Sequence, residues 1–310
     1  MNNVPNWLNG LQQGDKRTLA RIITVVENEL EGHEELLTQL TFPKKTPIIG
    51  ITGPPGAGKS TFINSLITHL LTQPLEGRGI GIIAIDPTSP FNFGSILGDR
   101  LRMAEHFNND KVFIRSLATR GSLGGLSAKI IEVVDVMRAF DFDYIFIETV
   151  GVGQSEVEIV GLADTSILVL VPESGDEVQT IKSGIMEIAD IFVVNKADRD
   201  GADAFVKNLH ALLQFKNNAK SESDWVPPVI KTVATKNEGI EEISKQITRH
   251  SNLVHSNHKQ SYLLAEKAYR LIQNSRMKDV DKQDLQKQID LSKGIKFNLY
   301  HFIKKYLKSL

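Results

Sequence analysis

Gly53-Pro54-Pro55-Gly56-Ala57-Gly58-Lys59-Ser60 fits the pattern G-x-x-x-x-G-K-[ST], and its flanks are those the pattern requires. Before it, Pro47-Ile48-Ile49-Gly50-Ile51-Thr52 is an apolar run short enough for a buried strand. After it, residues 60–71 space their apolar side chains as a helix does. Glycines let the backbone close around a polyphosphate with its N–H groups inward, Lys59 adds a point charge, and Ser60 offers a hydroxyl for Mg²⁺. Strand, loop and helix in this order predict a nucleoside triphosphate site, with Gly53, Pro55, Gly56, Ala57, Gly58, Lys59, Ser60 and Thr61 around the phosphates.

Working outward, strand-like runs at 81–86, 112–116, 143–148, 166–171, 191–195 and 229–233 alternate with helical stretches. That alternation predicts an α/β fold: a phosphate-loop NTPase with a mostly parallel central sheet flanked by helices. Ligand-binding loops then gather at the carboxyl ends of the strands. Residues 15–30 place Leu19, Ile22, Ile23, Val26 and Leu30 at helical spacing behind Asp15 as a cap. Beyond about residue 240 the pattern turns to long polar helices, at 262–274 and 298–310, separated by the charged stretch 278–287, read as solvated. The expected organisation is an N-terminal helical extension over 1–46, a nucleotide domain over 47–250 and a helical arm over 251–310. The stripe Leu299, Ile303, Tyr306 and Leu310 on that arm needs cover, from its own domain or from a second subunit.

Composition narrows the classes. Lys+Arg 36 against Asp+Glu 37 gives no global field for nucleic acid or an anionic membrane. Lys293, Lys296, Lys304, Lys305 and Lys308 on the terminal segment read as a solvated face, because no aromatic stacking platform accompanies them. With no cysteine there is no disulfide, thiolate metal site or cysteine nucleophile, which fits a reducing cytoplasm. No apolar run approaches the roughly 18 residues that span a bilayer, and residues 1–6 lack a signal-peptide pattern, so a cytoplasmic protein without membrane or nucleic-acid partners is expected.

The base is read from Asn195-Lys196-Ala197-Asp198, which closes an apolar run and matches the guanine motif N-K-x-D. The Asp198 carboxylate can accept from the ring N–H and the exocyclic amine of guanine; adenine offers neither donor there. A site built around such bonds rejects the analogue lacking them by roughly 10⁴ or more. Val233, Ala234 and Thr235 end the last strand where a backbone N–H can meet the guanine carbonyl. Two acids at strand ends, Asp86 and Glu148, supply oxygen ligands for Mg²⁺ or its waters beside Ser60. Glu148-x-x-Gly151 has the form in which the Gly151 N–H senses the terminal phosphate. GTP/GDP and Mg²⁺ are the expected cofactors.

Four blocks then carry a specific resemblance: residues 148–156 (ETVGVGQSE), 93–100 (FGSILGDR), 120–126 (RGSLGGL) and 185–190 (IMEIAD). They resemble the GTPase family associated with methylmalonyl-CoA mutase, the MeaB/ArgK type, some of whose members were labelled arginine/ornithine transport ATPases. The resemblance runs from about Gly14 to the C-terminus. It implies a SIMIBI-type fold, similar to signal-recognition and nickel-insertion GTPases, and a homodimer built partly through the C-terminal arm. It implies a GTP-hydrolysing chaperone that gates cofactor loading of an adenosylcobalamin-dependent acyl-CoA mutase and protects or reactivates it, with a cobalamin adenosyltransferase as a further partner. Carried over by motif, Lys59 binds phosphate, Ser60 ligates Mg²⁺, and Asp86, Asp99 and Glu148 order metal waters or the attacking water. Residues 173–182 match a loop that reports nucleotide state to the mutase, with Gly175, Gln179 and Lys182 as its switch residues. Ser122 stands where many relatives carry histidine, and Leu299 where proline is common.

The motifs offer Lys59 and Mg²⁺ for charge but no obvious glutamine or arginine that must complete the site, so turnover is expected to be slow alone and faster with the mutase. Other readings are a GTPase metallochaperone, a kinase of a periplasmic amino-acid transport protein, and a binding switch with negligible catalysis. The first would need ligands, and His250, His255 and His258 lack a common helical spacing.

Overall fold

The computed structural model describes residues 3–86, 103, 105–118, 129–149, 162–175, 189–217, 225–254, 259–277, 280–292 and 297–306. The chain divides into two compact units, Met1–Gln260 and Ser261–Leu310.

In the first unit, seven described strands form one parallel sheet: β1 (Ile48–Thr52), β2 (Ile80–Asp86), β3 (Val112–Ala118), β4 (Tyr144–Glu148), β5 (Thr165–Leu170), β6 (Ile191–Val194) and β7 (Val229–Lys231). Their order is β3-β2-β4-β1-β5-β6-β7. The chain leaves β1 for one side of the sheet and returns to the other, so the crevice at the end of β1 is the topological switch point where such sheets bind ligands.

Continuous apolar runs follow from burial on both faces. All five residues of β1 and all six of β5 are buried. On one face Phe62, Ile63, Leu66 and Ile67 of α4 (Lys59–Leu71) pack with Ile243 and Ile247 of the helix Ile240–Val254 against Ile49, Ile51, Ile167, Val169 and Val193. Elsewhere, Leu168, Leu170, Phe192 and Val194 meet Phe205, Leu209 and Leu213 of α6 (Ala202–Asn217).

Ahead of the sheet, α2 (Lys16–Glu27) starts where Asp15 accepts from the N–H groups of Arg17 and Thr18, and it buries Leu19, Ile22, Ile23 and Val26. It packs on α5 (Ile130–Ala139) and on α1 (Val4–Gln13). The helix ends earlier than its spacing suggests, at Asn28, because Glu29 takes φ 50° and Gly32 φ 87°, turning the chain into α3 (His33–Thr38). In the first unit α7 is Ile240–Val254; α8 (Lys259–Arg276) runs from that unit's last two residues into the second unit, which also holds α9 (Lys282–Ser292) and α10 (Leu299–Tyr306). The charged stretch read as solvated is thus partly helical. Described residues of α10 bury none of their side chains within the chain; Leu299 and Ile303 are 47% and 41% exposed. Among the described residues no helix is long and apolar enough to cross a membrane.

Candidate nucleotide site

The phosphate loop leaves β1 through Gly53 and enters α4 through Gly58, at φ 147° and 83°. Both must be glycine. A Cβ on Gly53 would lie 2.1 Å from the Val169 carbonyl oxygen of β5, and one on Gly58 would lie 2.6 Å from Nδ2 of Asn195. The loop is therefore pressed between β5 and the guanine turn, and its backbone N–H groups at the start of α4 form an anion cradle. Lys59, 8% exposed, donates from Nζ to the carbonyls of Gly53 at 2.8 Å and Pro54 at 3.1 Å.

The register Ile51↔Glu148 sets the ends of β1 and β4 side by side. Ser60 Oγ there donates to Glu148 Oε1 at 2.7 Å, and both residues are buried. Asp86 closes β2, two residues beyond Ala84, which pairs with Glu148. Its backbone thus ends on the same edge; its side chain lies outside the described set. Pro55 and Thr61 flank this site, in the loop and the first turn of α4. Asp99, Gly151, Gln179, Lys182 and Ser122 lie outside the described residues, and Gly175 ends the 3₁₀ turn Pro172–Gly175 after β5.

At the other end, buried Asn195 is a three-way clamp. Its Nδ2 donates to the Ala57 carbonyl at 2.9 Å, and its Oδ1 accepts from Thr232 Oγ1 and the Ala234 N–H, each at 3.2 Å. Lys196, at φ 55°, donates to the Gly56 carbonyl at 2.8 Å. Asp198 faces outward with Lys236 Nζ 3.6 Å from its Oδ2. Within the segment expected to supply one backbone N–H to the guanine carbonyl, Val233 gives its N–H to Glu238 and Ala234 gives its own to Asn195; Thr235 is exposed in the turn Ala234–Lys236. Ser65 of α4 donates to the Ala234 carbonyl at 2.6 Å, tying this turn to the phosphate-loop helix.

Sequence reasoning did not single out Thr232, Ser65 or Lys236, because nothing in their local spacing separates them from other polar residues at strand ends and on helices. Arg199, next to the guanine motif, also escaped it; its guanidinium pairs with Glu173. His250 uses both ring nitrogens inside the fold, with Thr165 Oγ1 at 2.8 Å and Asp190 Oδ1 at 3.3 Å, and its ring lies tilted against Trp225 with centroids 4.7 Å apart. It is a core residue here; His255 and His258 lie outside the described residues. The cleft lined by Lys16, His106, Phe113 and Arg115 along β3 shares no residue with the phosphate loop or the guanine turn.

A parallel sheet carrying this loop at the end of its central strand, with an Asn-Lys-x-Asp turn clamped onto it, defines a phosphate-loop GTPase that binds guanine nucleotide. Residues 19–288 match the family described as methylmalonyl-CoA mutase-associated GTPase MeaB, and the chain belongs to that family. A Pyrococcus abyssi relative named as a GTPase is 52% identical over 241 residues, 77% of this chain and 74% of its own. A Caenorhabditis elegans protein named methylmalonic aciduria type A homolog, mitochondrial, is 35% identical over 261 residues, 79% of this chain and 65% of its own. A crystal structure described as LAO/AO transport system kinase superposes with TM-score 0.65 at 25% identity, covering 94% of this chain and 91% of that one.

Proposed function

We propose that this GTPase is a nucleotide-gated chaperone of an adenosylcobalamin-dependent acyl-CoA mutase, gating cofactor loading and protecting or reactivating the enzyme. The observation that carries this reading is the family match over residues 19–288, which spans the phosphate loop, the Ser60–Glu148 pair and the guanine turn. The methylmalonic aciduria name of the nematode relative supports it.

Chemically, Lys59 exchanges the Gly53 and Pro54 carbonyls for phosphate oxygens when GTP enters. Ser60 and Glu148 are hard oxygen donors 2.7 Å apart at the mouth of the loop, a donor set that fits Mg²⁺, with Asp86 and Asp99 as further ligands of the metal or its waters. Bound there, Mg²⁺ supplies neutralisation of charge on the phosphate oxygens. Ser60, by donating its proton to Glu148, keeps its oxygen lone pairs for a cation. Gly151 senses the terminal phosphate. Asp198 accepts from guanine N–H groups, and the Thr235 N–H meets the guanine carbonyl. Hydrolysis is slow alone because the site positions charge rather than the attacking water, and the client orders the rest through residues 173–182, including Gly175, Gln179 and Lys182.

The segment 251–310 serves as a dimerisation arm. Exposed Leu264, Tyr269, Ile272, Leu299, Tyr300 and Ile303 in the second unit support a second copy as its cover. A cobalamin adenosyltransferase is a further partner. The kinase name of the solved relative favours a second reading, phosphoryl transfer to a transport protein. One assay separates the two: GTP turnover alone, with a B12-dependent acyl-CoA mutase and with a periplasmic amino-acid-binding protein of the same organism, with ATP as control and label from the γ-phosphate followed. Guanine-specific turnover raised by the mutase, with label in free phosphate, is expected. Label on a binding protein, or turnover indifferent to the mutase, refutes the chaperone reading.

A further inference from the structure

The guanine turn is held by two sets of contacts, and only the first follows from its motif. In the first, Asn195 and Lys196 reach the phosphate loop at Ala57 and Gly56. In the second, Arg199 donates to Glu173 in the turn Pro172–Gly175 that leaves β5. The Arg199 hydrogen bond holds the Glu173 carboxyl below the usual carboxylate range, and the Lys196 charge acts in the same direction.

The sheet makes this link local. Leu170 at the end of β5 pairs with Val194 at the end of β6, so the two chain exits start side by side, one toward Glu173 and the other toward Asn195–Arg199. Helix α6, which follows the guanine turn, also touches the Pro172–Gly175 turn. The guanine turn needs such support. Lys196 sits at φ 55°, a left-handed conformation unfavourable for a residue with a side chain, and persists where its surroundings over-determine it.

We infer that Glu173 is a positioning residue for guanine recognition: through Arg199 it ties the turn carrying Asp198 to the exit of β5, the strand that lies between the phosphate-loop strand β1 and β6. Base affinity is then linked to the position of the β5 exit turn, and the link is reciprocal, so whatever displaces Glu173 weakens guanine binding by the factor that guanine resists its displacement. The inference rests on the guanine reading of Asp198 but not on any client. Arg199 and Glu173 are both about half exposed, at 51% and 50%, so solvent screens the pair and its removal is a modest perturbation. Reversing one charge is larger, since it sets a cation against both Arg199 and Lys196.

The test is competition binding of GTP, ITP and ATP to the full chain. ITP lacks the exocyclic amine, so the GTP/ITP ratio reads the aim of Asp198 rather than general stability. Glu173→Lys is expected to lower GTP affinity and narrow the GTP/ITP ratio by about five-fold, and Arg199→Glu to act likewise. The double variant Glu173→Lys/Arg199→Glu restores most of the ratio, and Glu173→Asp keeps it. A Glu173→Lys protein of native circular dichroism with an unchanged GTP/ITP ratio overturns the role of Glu173. So does a double variant whose loss is the sum of the two single losses. Equal affinity of the wild type for GTP and ATP overturns the guanine reading itself, and the inference with it.

Discussion

Asn195→Ala removes one small side chain and leaves three buried partners without it. The Ala57 carbonyl loses a donor at 2.9 Å; the Ala234 N–H and the Thr232 hydroxyl each lose an acceptor at 3.2 Å. A buried group left unsatisfied costs about 1–3 kcal/mol. Thr232 can rotate its hydroxyl to another acceptor, so two fixed backbone groups dominate, and water entering the vacated polar space relieves part of their cost. The expected destabilisation is about 2–4 kcal/mol. Against a typical stability of about 5–15 kcal/mol, the variant remains folded at room temperature. Urea unfolding of the nucleotide-free protein measures the loss. Thr232→Val, which deletes one hydroxyl and leaves both backbone partners of Asn195 in place, serves as the control with a loss below about 1.5 kcal/mol. Asn195→Asp keeps the acceptor for Ala234 but sets an oxygen against the Ala57 carbonyl, so it should fall with the alanine variant rather than with wild type. An Asn195→Ala protein within about 0.5 kcal/mol of wild type, the range of an ordinary surface substitution, would refute the clamp.

Three further outcomes follow from the same geometry. Gly53→Ala puts a methyl group 2.1 Å from the Val169 carbonyl oxygen and should eliminate measurable GTP binding in a fluorescent-nucleotide titration; affinity within two-fold of wild type contradicts the close approach. Ser60→Ala should reduce Mg²⁺-supported GTP turnover by at least about 100-fold, and EDTA should do the same to wild type; turnover that survives either treatment removes Mg²⁺ from the site. His250→Ala strips Thr165 and Asp190 of a partner and opens space beside Trp225, costing about 3 kcal/mol, with Trp225 fluorescence as the probe. GTP affinity should survive, because Thr165 and Asp190 stand at the entry of β5 and β6, the opposite end from the nucleotide.

What could be read beforehand was what local pattern encodes. The phosphate loop, the apolar strands beside it and the Asn195–Asp198 motif each occupy a few consecutive residues, and the fold places them as their order implied. Short elements were harder. Helix α1 carries Val4, Trp7, Leu8 and Leu11 at i, i+3, i+4 and i+7, but polar Asn2 and Asn3 before it and Pro5 in its first turn mask that short period. The six-residue α3 follows left-handed Gly32, a backbone event that a hydrophobic pattern does not carry. Within the site, what escaped was contact across long separations. Ser60 meets Glu148 88 residues away and Asn195 meets Ala57 138 residues away, so the motifs named these residues but not their bonds. The same holds for the Ala234 N–H, which bonds to Asn195, and for Arg199, whose partner lies on another strand's exit.

The central claim is that nucleotide state controls a mutase client, and a ligand can bias a client only through different affinities in its two states. The most direct measurement is the affinity of this protein for a B12-dependent acyl-CoA mutase of the same organism by titration calorimetry, once with GDP and once with a non-hydrolysable GTP analogue. A difference of at least about five-fold between the two nucleotides is predicted, the lower end of ordinary coupling between sites. Equal affinities, or no association with either nucleotide, would contradict the account while leaving the GTPase intact.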